Sequence, residues 1–239
     1  HFRQPAIYDT SGRELTFGKA LIGALVLARL IRRLIPAEQR RVGVVIPPSV
    51  GGALVNFGLL LAGKVPVNLN FTTSAETFDL SLQQADIGTV ITASKVVEKV
   101  THLNWPENLL LADVLREQIK PADKIAALLQ ALVWPATRLA PRMEENGDDE
   151  LTIIFSSGTT GDPKGVVLTH HNVLSNIDAL CDVIRPDASI HLCATLPIFH
   201  SFGFTAGICF PLLSGFQASY HTSPLDTAQV IEMTRKRRC

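Results

Sequence analysis

From residue 41 to residue 93 the sequence alternates short β-rich runs with helical segments, and this alternation limits the possible folds more than any single residue does. "RVGVVI" (41–46) reads as a buried strand. The following "PPSVGGALVNFGLLLAGK" reads as a helix, with Ser49 as its N-cap and Gly63 near its end. "VPVNLN" (65–70) is the next strand, and "TSAE" (73–76) has the form of a capping box that opens a helix through Gln84. "IGTVITA" (87–93) and "LLLADV" (109–114) complete the strand set of this block. Ahead of it, "ELTFGKALIGALVLARLIRRL" carries apolar residues at helical spacing. Strands alternating with helices predict an α/β fold, a mostly parallel sheet covered by helices on both faces.

Residues 135–150, "PATRLAPRMEENGDDE", are polar, acidic and proline-containing, and read as a surface loop between two α/β blocks. Their acidic cluster is read as solvated, and no metal ligand is assigned. The second block opens with a strand, "LTIIF" (151–155), and continues with another, "GVVLT" (165–169), so the glycines between them sit in a strand–loop–strand hairpin. A helix follows from about His171 to Ile184, then strands at 190–197 and 216–221. Ser223, Pro224 and Asp226 mark the start of a last helix.

The 239 residues suffice for one large domain or two small ones, and 46% hydrophobic against 18% charged allows a sizeable core. Lys plus Arg equals Asp plus Glu, 22 each, so bulk charge gives no reason to propose nucleic acid or an anionic membrane as partner. Four widely spaced cysteines form no metal-ligand pattern, which points to reduced thiols and a cytoplasmic setting. The chain starts at His1 with no secretory pattern. Residues 188–225 contain no acidic or basic side chain, but prolines, glycines and histidines interrupt them throughout. A spanning helix needs about 20 mostly apolar residues, so this run is expected to be buried core.

The chemistry concentrates in "SSGTTGDPKG" (156–165). A Walker loop needs lysine directly after its second glycine; here Asp162 and Pro163 intervene, and Gly165 follows Lys164. The dinucleotide fingerprint fails on glycine spacing as well. What remains still suits a polyphosphate. Gly158 and Gly161 allow close backbone approach, and consecutive N–H groups in such turns form an anion-binding concavity. Ser156, Ser157, Thr159 and Thr160 add hydroxyl donors, and Lys164 adds a positive charge. A plain hairpin tip needs one or two glycines, not four hydroxyls and a lysine besides.

"SSGTTGDPKGVVLTH" resembles the signature phosphate loop of the adenylate-forming enzymes, which include acyl-CoA synthetases, luciferases and peptide-synthetase adenylation domains. "GRELTFGKAL" (12–21) and "LPIFHSFG" (196–203) agree in order, so the resemblance runs over the whole chain. Within the family, "LPIFHSFGF" and the early helix look most like the synthetase half of bifunctional acyl-ACP synthetase/2-acylglycerophosphoethanolamine acyltransferase proteins. The resemblance implies a layered αβαβα-type N-terminal domain, truncated, that uses ATP and Mg²⁺ to convert a fatty acid to acyl-AMP for transfer to acyl carrier protein or CoA. It implies that Thr159, Thr160 and Lys164 hold the β- and γ-phosphates, and that His200 lies by the α-phosphate and the acyl group. Read from the residue alone, His200 is better taken as a core histidine bonded to backbone; its place in "LPIFHSFG" is what favours the site role. The resemblance places the parent in the cytoplasm, with peripheral attachment to the inner membrane as an extension.

Amino-acid-activating members of the family carry an aspartate beside the phenylalanine that here precedes His200; this chain has Phe199-His200. A buried ammonium without a partner is costly, so a plain carboxylic acid is expected. The family's later Y-G-x-T-E-like segment, ribose-binding aspartate and mobile C-terminal domain with its lysine have no counterpart in these residues, and no H-x-x-x-x-D acyltransferase motif occurs. The 239 residues alone are therefore expected to catalyse little or no fatty-acid-dependent ATP–pyrophosphate exchange. Robust exchange by the purified chain would overturn that expectation.

Overall fold

The computed structural model describes residues 1–139, 147–157 and 162–239. The chain opens with strands β1 (Pro5–Asp9) and β2 (Glu14–Thr16), helix α1 (Phe17–Leu34), strand β3 (Arg41–Val45) and helix α2 (Val50–Leu61). It continues with β4 (Val65–Asn68), α3 (Ala75–Gln84), β5 (Thr89–Thr92), α4 (Ser94–Lys99), β6 (Asn108–Leu111), α5 (Ala112–Glu117), α6 (Pro121–Val133) and α7 (Ala136–Leu139). The second block holds β7 (Glu150–Ser157), β8 (Pro163–Thr169), α8 (His170–Ile184), β9 (His191–Ala194), α9 (Ser201–Phe204), α10 (Phe210–Ser214), β10 (Gln217–Tyr220) and α11 (Thr227–Arg237).

Among the described residues one sheet has the order β4-β3-β5-β6 with every pair parallel. β3, β5 and the edge strand β4 are apolar on both faces, as a sheet covered on both sides requires: Val42, Val44, Val45, Val65, Val67, Val90 and Ile91 are all buried. A second sheet, β2-β1-β10-β9, is parallel except for the antiparallel β1–β2 pair. β7 and β8 form an antiparallel hairpin of their own. The fold is thus α/β with mostly parallel sheets and covering helices. α1 lies against α2 so closely that a side chain on Gly58 would meet Leu27 Cβ at 2.9 Å.

Several elements differ from the sequence expectations, each for a local reason. "LLLADV" does not stay extended: the strand stops at Leu111, and Asp113 enters the first turn of α5, where its carboxylate accepts from the backbone and hydroxyl of Ser94. In "TSAE" the cap is Ser74 rather than Thr73, because the Ser74 hydroxyl is the one that accepts from the N–H of Thr77. "ELT" forms β2 before Thr16 caps α1. The last helix begins at Thr227, capped by Asp226, and leaves Pro224 outside. β1, too short to show a period, was not expected at all. The uncharged stretch 188–225 is core, with Ala194, Ile198, Phe204, Ile208, Phe210, Phe216 and Tyr220 buried in one cluster. Among the described residues no helix is long and apolar enough to cross a membrane. All four thiols are free, and burial pushes that of Cys209 up to about 12. Of the acidic loop at 135–150, Glu144 and Glu145 lie outside the described residues.

Helix α6 is held to α1 by a buried carboxylate. Asp123 accepts a two-pronged bond from Arg33, 2.9 Å on each oxygen, and Arg29 stands 3.7 Å away. The Arg33 bonds hold the Asp123 carboxyl below the usual aspartate range. A depressed folded-state value means stability that is present above the unfolded value, near 4, and lost as pH falls through the folded one. Asp123→Asn is accordingly expected to lower Tm at neutral pH and to flatten the acid limb, so that the gap from wild type closes as pH drops below the ordinary aspartate range. A gap that persists in acid, in thermal melts across pH, would contradict the assignment.

Candidate active site

The hairpin fixes where the glycine-rich loop leaves the fold. Phe155 pairs with Gly165, Ser156 with Lys164, and Ser157 with Pro163, the last pair before the two strands part. Gly158, Thr159, Thr160 and Gly161 themselves lie outside the described residues. Ser156 and Lys164 stand directly opposite each other at the mouth and are both exposed, whereas Pro163 is buried. Gly165 has a packing reason to lack a side chain, since a Cβ there would sit 3.1 Å from both Ile153 and Phe155.

The base of the hairpin is tied down on the other side. The Thr152 hydroxyl, fully buried, donates to the Pro66 carbonyl at 2.7 Å, and Arg41 pairs with Glu150 at 3.0 Å. These contacts anchor β7 to β3 and β4 at the end away from the loop.

His200 arrives from the segment after β9. Ile198 is buried and would clash with any side chain on Gly52, the third residue of α2. Phe199 meets Phe71 edge-to-face, with ring centroids 5.6 Å apart. Phe71 follows β4 and packs on the same cluster as Phe155 of the hairpin. Segments that follow β3, β4 and β9 therefore meet one another beside the hairpin, at the carboxyl ends of parallel strands where α/β folds build sites. His200 is exposed and is not a core histidine. Its Nδ1 accepts from the Phe202 N–H at 3.3 Å, which makes it the N-cap of α9. That bond orients the ring, and Nε2 has no hydrogen bond among the described residues.

Two further residues hold this segment and were not singled out by sequence. Gly203 packs directly under the 196–197 backbone: a side chain there would penetrate the Pro197 carbonyl and lie 3.0 Å from the Leu196 oxygen. Beyond it the helix widens into a π turn, Thr205–Cys209, before Pro211, which has no N–H for a regular ladder. At the base of the hairpin a groove of about 290 Å³ is lined by Phe57, Leu60, Val173, Cys209, Leu213 and His170. Burial there lowers the pKa of His170, and the charge of Asp149 partly opposes it.

The family model for AMP-binding enzymes matches residues 1–239. The chain is 24% identical to a long-chain-fatty-acid–CoA ligase of Bacillus subtilis, over 92% of this chain and 44% of that one. It is 32% identical to a long-chain-fatty-acid–CoA ligase of Mycobacterium tuberculosis, over 72% of this chain and 33% of that one. The o-succinylbenzoate coenzyme A synthetase of Bacillus subtilis, solved in complex with AMP, superposes with a TM-score of 0.76 at 18% identity, over 98% of this chain and 56% of that one. The chain thus spans less than half the length of these two curated relatives.

Two glycines, one ahead of the π turn and one within it, give a paired test of how the His200 segment is held. Gly203→Ala forces backbone apart and is expected to cost about 1–3 kcal/mol of stability. Gly207→Ala, whose Cβ would meet only Ala194 at 3.9 Å, is expected to be neutral or to stabilise by up to about 1 kcal/mol. Equal melting temperatures for the two variants would show that the close approach at Gly203 does not constrain the segment.

Proposed function

We propose a reaction on one premise: the chain belongs to the family of AMP-binding enzymes. The reaction is ATP-dependent activation of a fatty acid by the protein that contains this chain, followed by transfer of the acyl group to the thiol of acyl carrier protein. A carboxylate acylates poorly because oxide is a poor leaving group. Its oxygen attacks the α-phosphorus of ATP, the bond to pyrophosphate breaks, and an acyl-adenylate forms. The thiolate sulfur then attacks the carbonyl carbon, and the C–O bond to AMP breaks.

The hairpin carries this reading. Lys164 and Ser156 are exposed and opposite each other, and the sequence between them, rich in glycine and hydroxyl residues, supplies the residue types that suit a triphosphate. In this assignment Ser156, Ser157, Gly158, Thr159, Thr160, Gly161 and Lys164 hold the phosphates. His200, with Nδ1 committed to the Phe202 N–H, presents Nε2 toward the α-phosphate and acyl carboxylate. Such preorganised donors stabilise charge as it develops on phosphate oxygens. Among the described residues there is no group of three or more His, Cys, Asp or Glu that could hold a metal ion.

The substrate class follows from charge. Residues 188–225 bring no carboxylate to pair with an ammonium, which favours a plain acid. The run after His200 is apolar, and its Cys209 and Leu213 line the groove at the base of the hairpin. The resemblance of "LPIFHSFGF" supports acyl carrier protein as acceptor and a parent acting in phospholipid acylation. The two curated relatives are fatty-acid–CoA ligases, which favours a second reading with CoA as the acceptor.

In the parent enzyme, Lys164→Ala is expected to slow fatty-acid-dependent ATP–pyrophosphate exchange by roughly ten- to a hundredfold, the loss of one charged hydrogen bond of about 1.5–3 kcal/mol. An unchanged exchange rate would remove Lys164 from the role.

A further inference from the structure

Two of the four thiols meet where helix α11 crosses the edge of the second sheet. Cys193 lies in β9, the edge strand, and stands beside Ser219 in the parallel register of β9 with β10. Residues paired in this way point to the same face of a sheet. His191, two residues before Cys193, shares that face, and its Nε2 lies 2.8 Å from the Ser219 hydroxyl. Tyr8 of β1 is the partner of Ser219 on the other side. α11 covers this row. The Thr234 hydroxyl donates to the Cys193 sulfur at 3.5 Å, and Arg237 lies 3.8 Å over the Tyr8 ring while pairing with Glu14 at 3.0 Å.

The end of α11 brings the second thiol back to the same place. Arg238 caps the helix in the left-handed conformation, with φ of 57°, and so turns the chain. The N–H of Cys239 then donates to the Thr234 carbonyl at 3.1 Å. Thr234 thus touches both cysteines, through its hydroxyl on one side and its carbonyl on the other. The Cys239 thiol also shares a hydrogen bond with Ser219, the neighbour of Cys193 in the sheet. Burial and the nearby Cys193 raise the pKa of Cys239, and Ser219 and Arg237 partly offset this. Both thiols are half-buried, which leaves them open to a small reagent. The other two are placed differently: Cys209 is buried in the core, and Cys181 on α8 meets the Ser214 hydroxyl at 3.4 Å.

We propose that Cys193 and Cys239 form a dithiol site that a low-molecular-weight disulfide oxidises to an internal bond, stapling α11 to β9. One protein thiolate attacks a sulfur of the small disulfide, forming a mixed disulfide and releasing one small thiolate. The second protein thiolate attacks the protein sulfur of that mixed disulfide and displaces the other small thiolate. Two protein thiols are oxidised, the small disulfide is reduced to two thiols, and these take up the two protons. In reducing compartments disulfides are mostly of this reversible kind. The site goes beyond the adenylation reading and does not depend on it.

The test is incubation of the reduced 239-residue chain with oxidised glutathione, followed by alkylation in denaturant, mass measurement and peptide mapping. Two of the four thiols are expected to escape alkylation, with Cys193 and Cys239 recovered in one linked peptide pair, and dithiothreitol is expected to restore all four. The oxidised chain is expected to melt about 5–15 °C higher than the reduced one. Cys193→Ser and Cys239→Ser are each expected to form no internal bond and to retain glutathione on the remaining cysteine of the pair, whereas Cys181→Ser is expected to behave as wild type. Four alkylatable thiols after incubation, glutathione retained by the wild-type chain in place of an internal bond, or a link that includes Cys181 or Cys209 would each overturn the proposal. So would a melting temperature that does not rise on oxidation, since the bond would then not join two groups already held together by the fold.

Discussion

Strand β7 has to serve two cores at once, and the position of the candidate site follows from how it does so. Leu151 and Ile154 lie in the cluster that includes Val173, Ile177, Phe204 and Tyr220, while Ile153 lies in the other, with Val65, Val67 and Leu69. Alternation alone would put Leu151 on the wrong side of the strand. The register shift between Glu150 and Thr152 corrects this and leaves Ile153 and Ile154 facing opposite ways. A one-residue slip would exchange the two faces and strand the Thr152 hydroxyl away from the Pro66 carbonyl. Each buried aliphatic contributes about 1.5–3 kcal/mol, so the register is set by packing far more strongly than by the loop itself. The glycine-rich segment is free to vary in sequence because it need not hold its own strands in place.

A similar separation holds around His200. The ring is exposed, but the residues on either side of it are not free to move: Ile198 fills the space that Gly52 leaves, Phe199 rests on Phe71, and Gly203 lies under the Pro197 carbonyl. The imidazole is presented by a short capped helix whose support is steric. Preorganisation of this kind is what electrostatic stabilisation of a transition state requires, since donors that must rearrange lose most of their advantage.

Much of this was legible in the sequence where one physical signal dominated. The parallel strands β3, β4 and β5 are short runs rich in valine and isoleucine, and the hairpin is announced by apolar runs either side of glycines. The failures fall where two weak signals compete. "LLLADV" is apolar enough for a strand, but Asp113 prefers a helical first turn once Ser94 is there to bond it, and Ser94 is distant in sequence. Thr73 and Ser74 are both acceptable caps, and a one-residue shift decides between them. Gly203 looked like one glycine among many, because the backbone it accommodates is visible only in three dimensions. For His200 the residues alone favoured a core role, and what speaks against the core is exposure, which composition does not carry.

Helix α6 shows most clearly what bulk numbers conceal. Hydrophobicity alone would turn its leucines inward and leave its alanines in solvent. The opposite rotation is imposed by Asp123, whose carboxylate must meet Arg33, and by α1, against which Ala127 is fully buried. Once Asp123 is anchored, the helical period leaves no other place for Ile125, Leu129 and Leu132 than the outside. The same ion pair removes the only negative charge of the helix from its outer side, so the apolar surface and the burial of the charge arise together from one constraint. A balance of 22 basic and 22 acidic residues is thus compatible with a local surface that carries no acid. Local preference and tertiary placement disagree here, and the buried carboxylate decides between them.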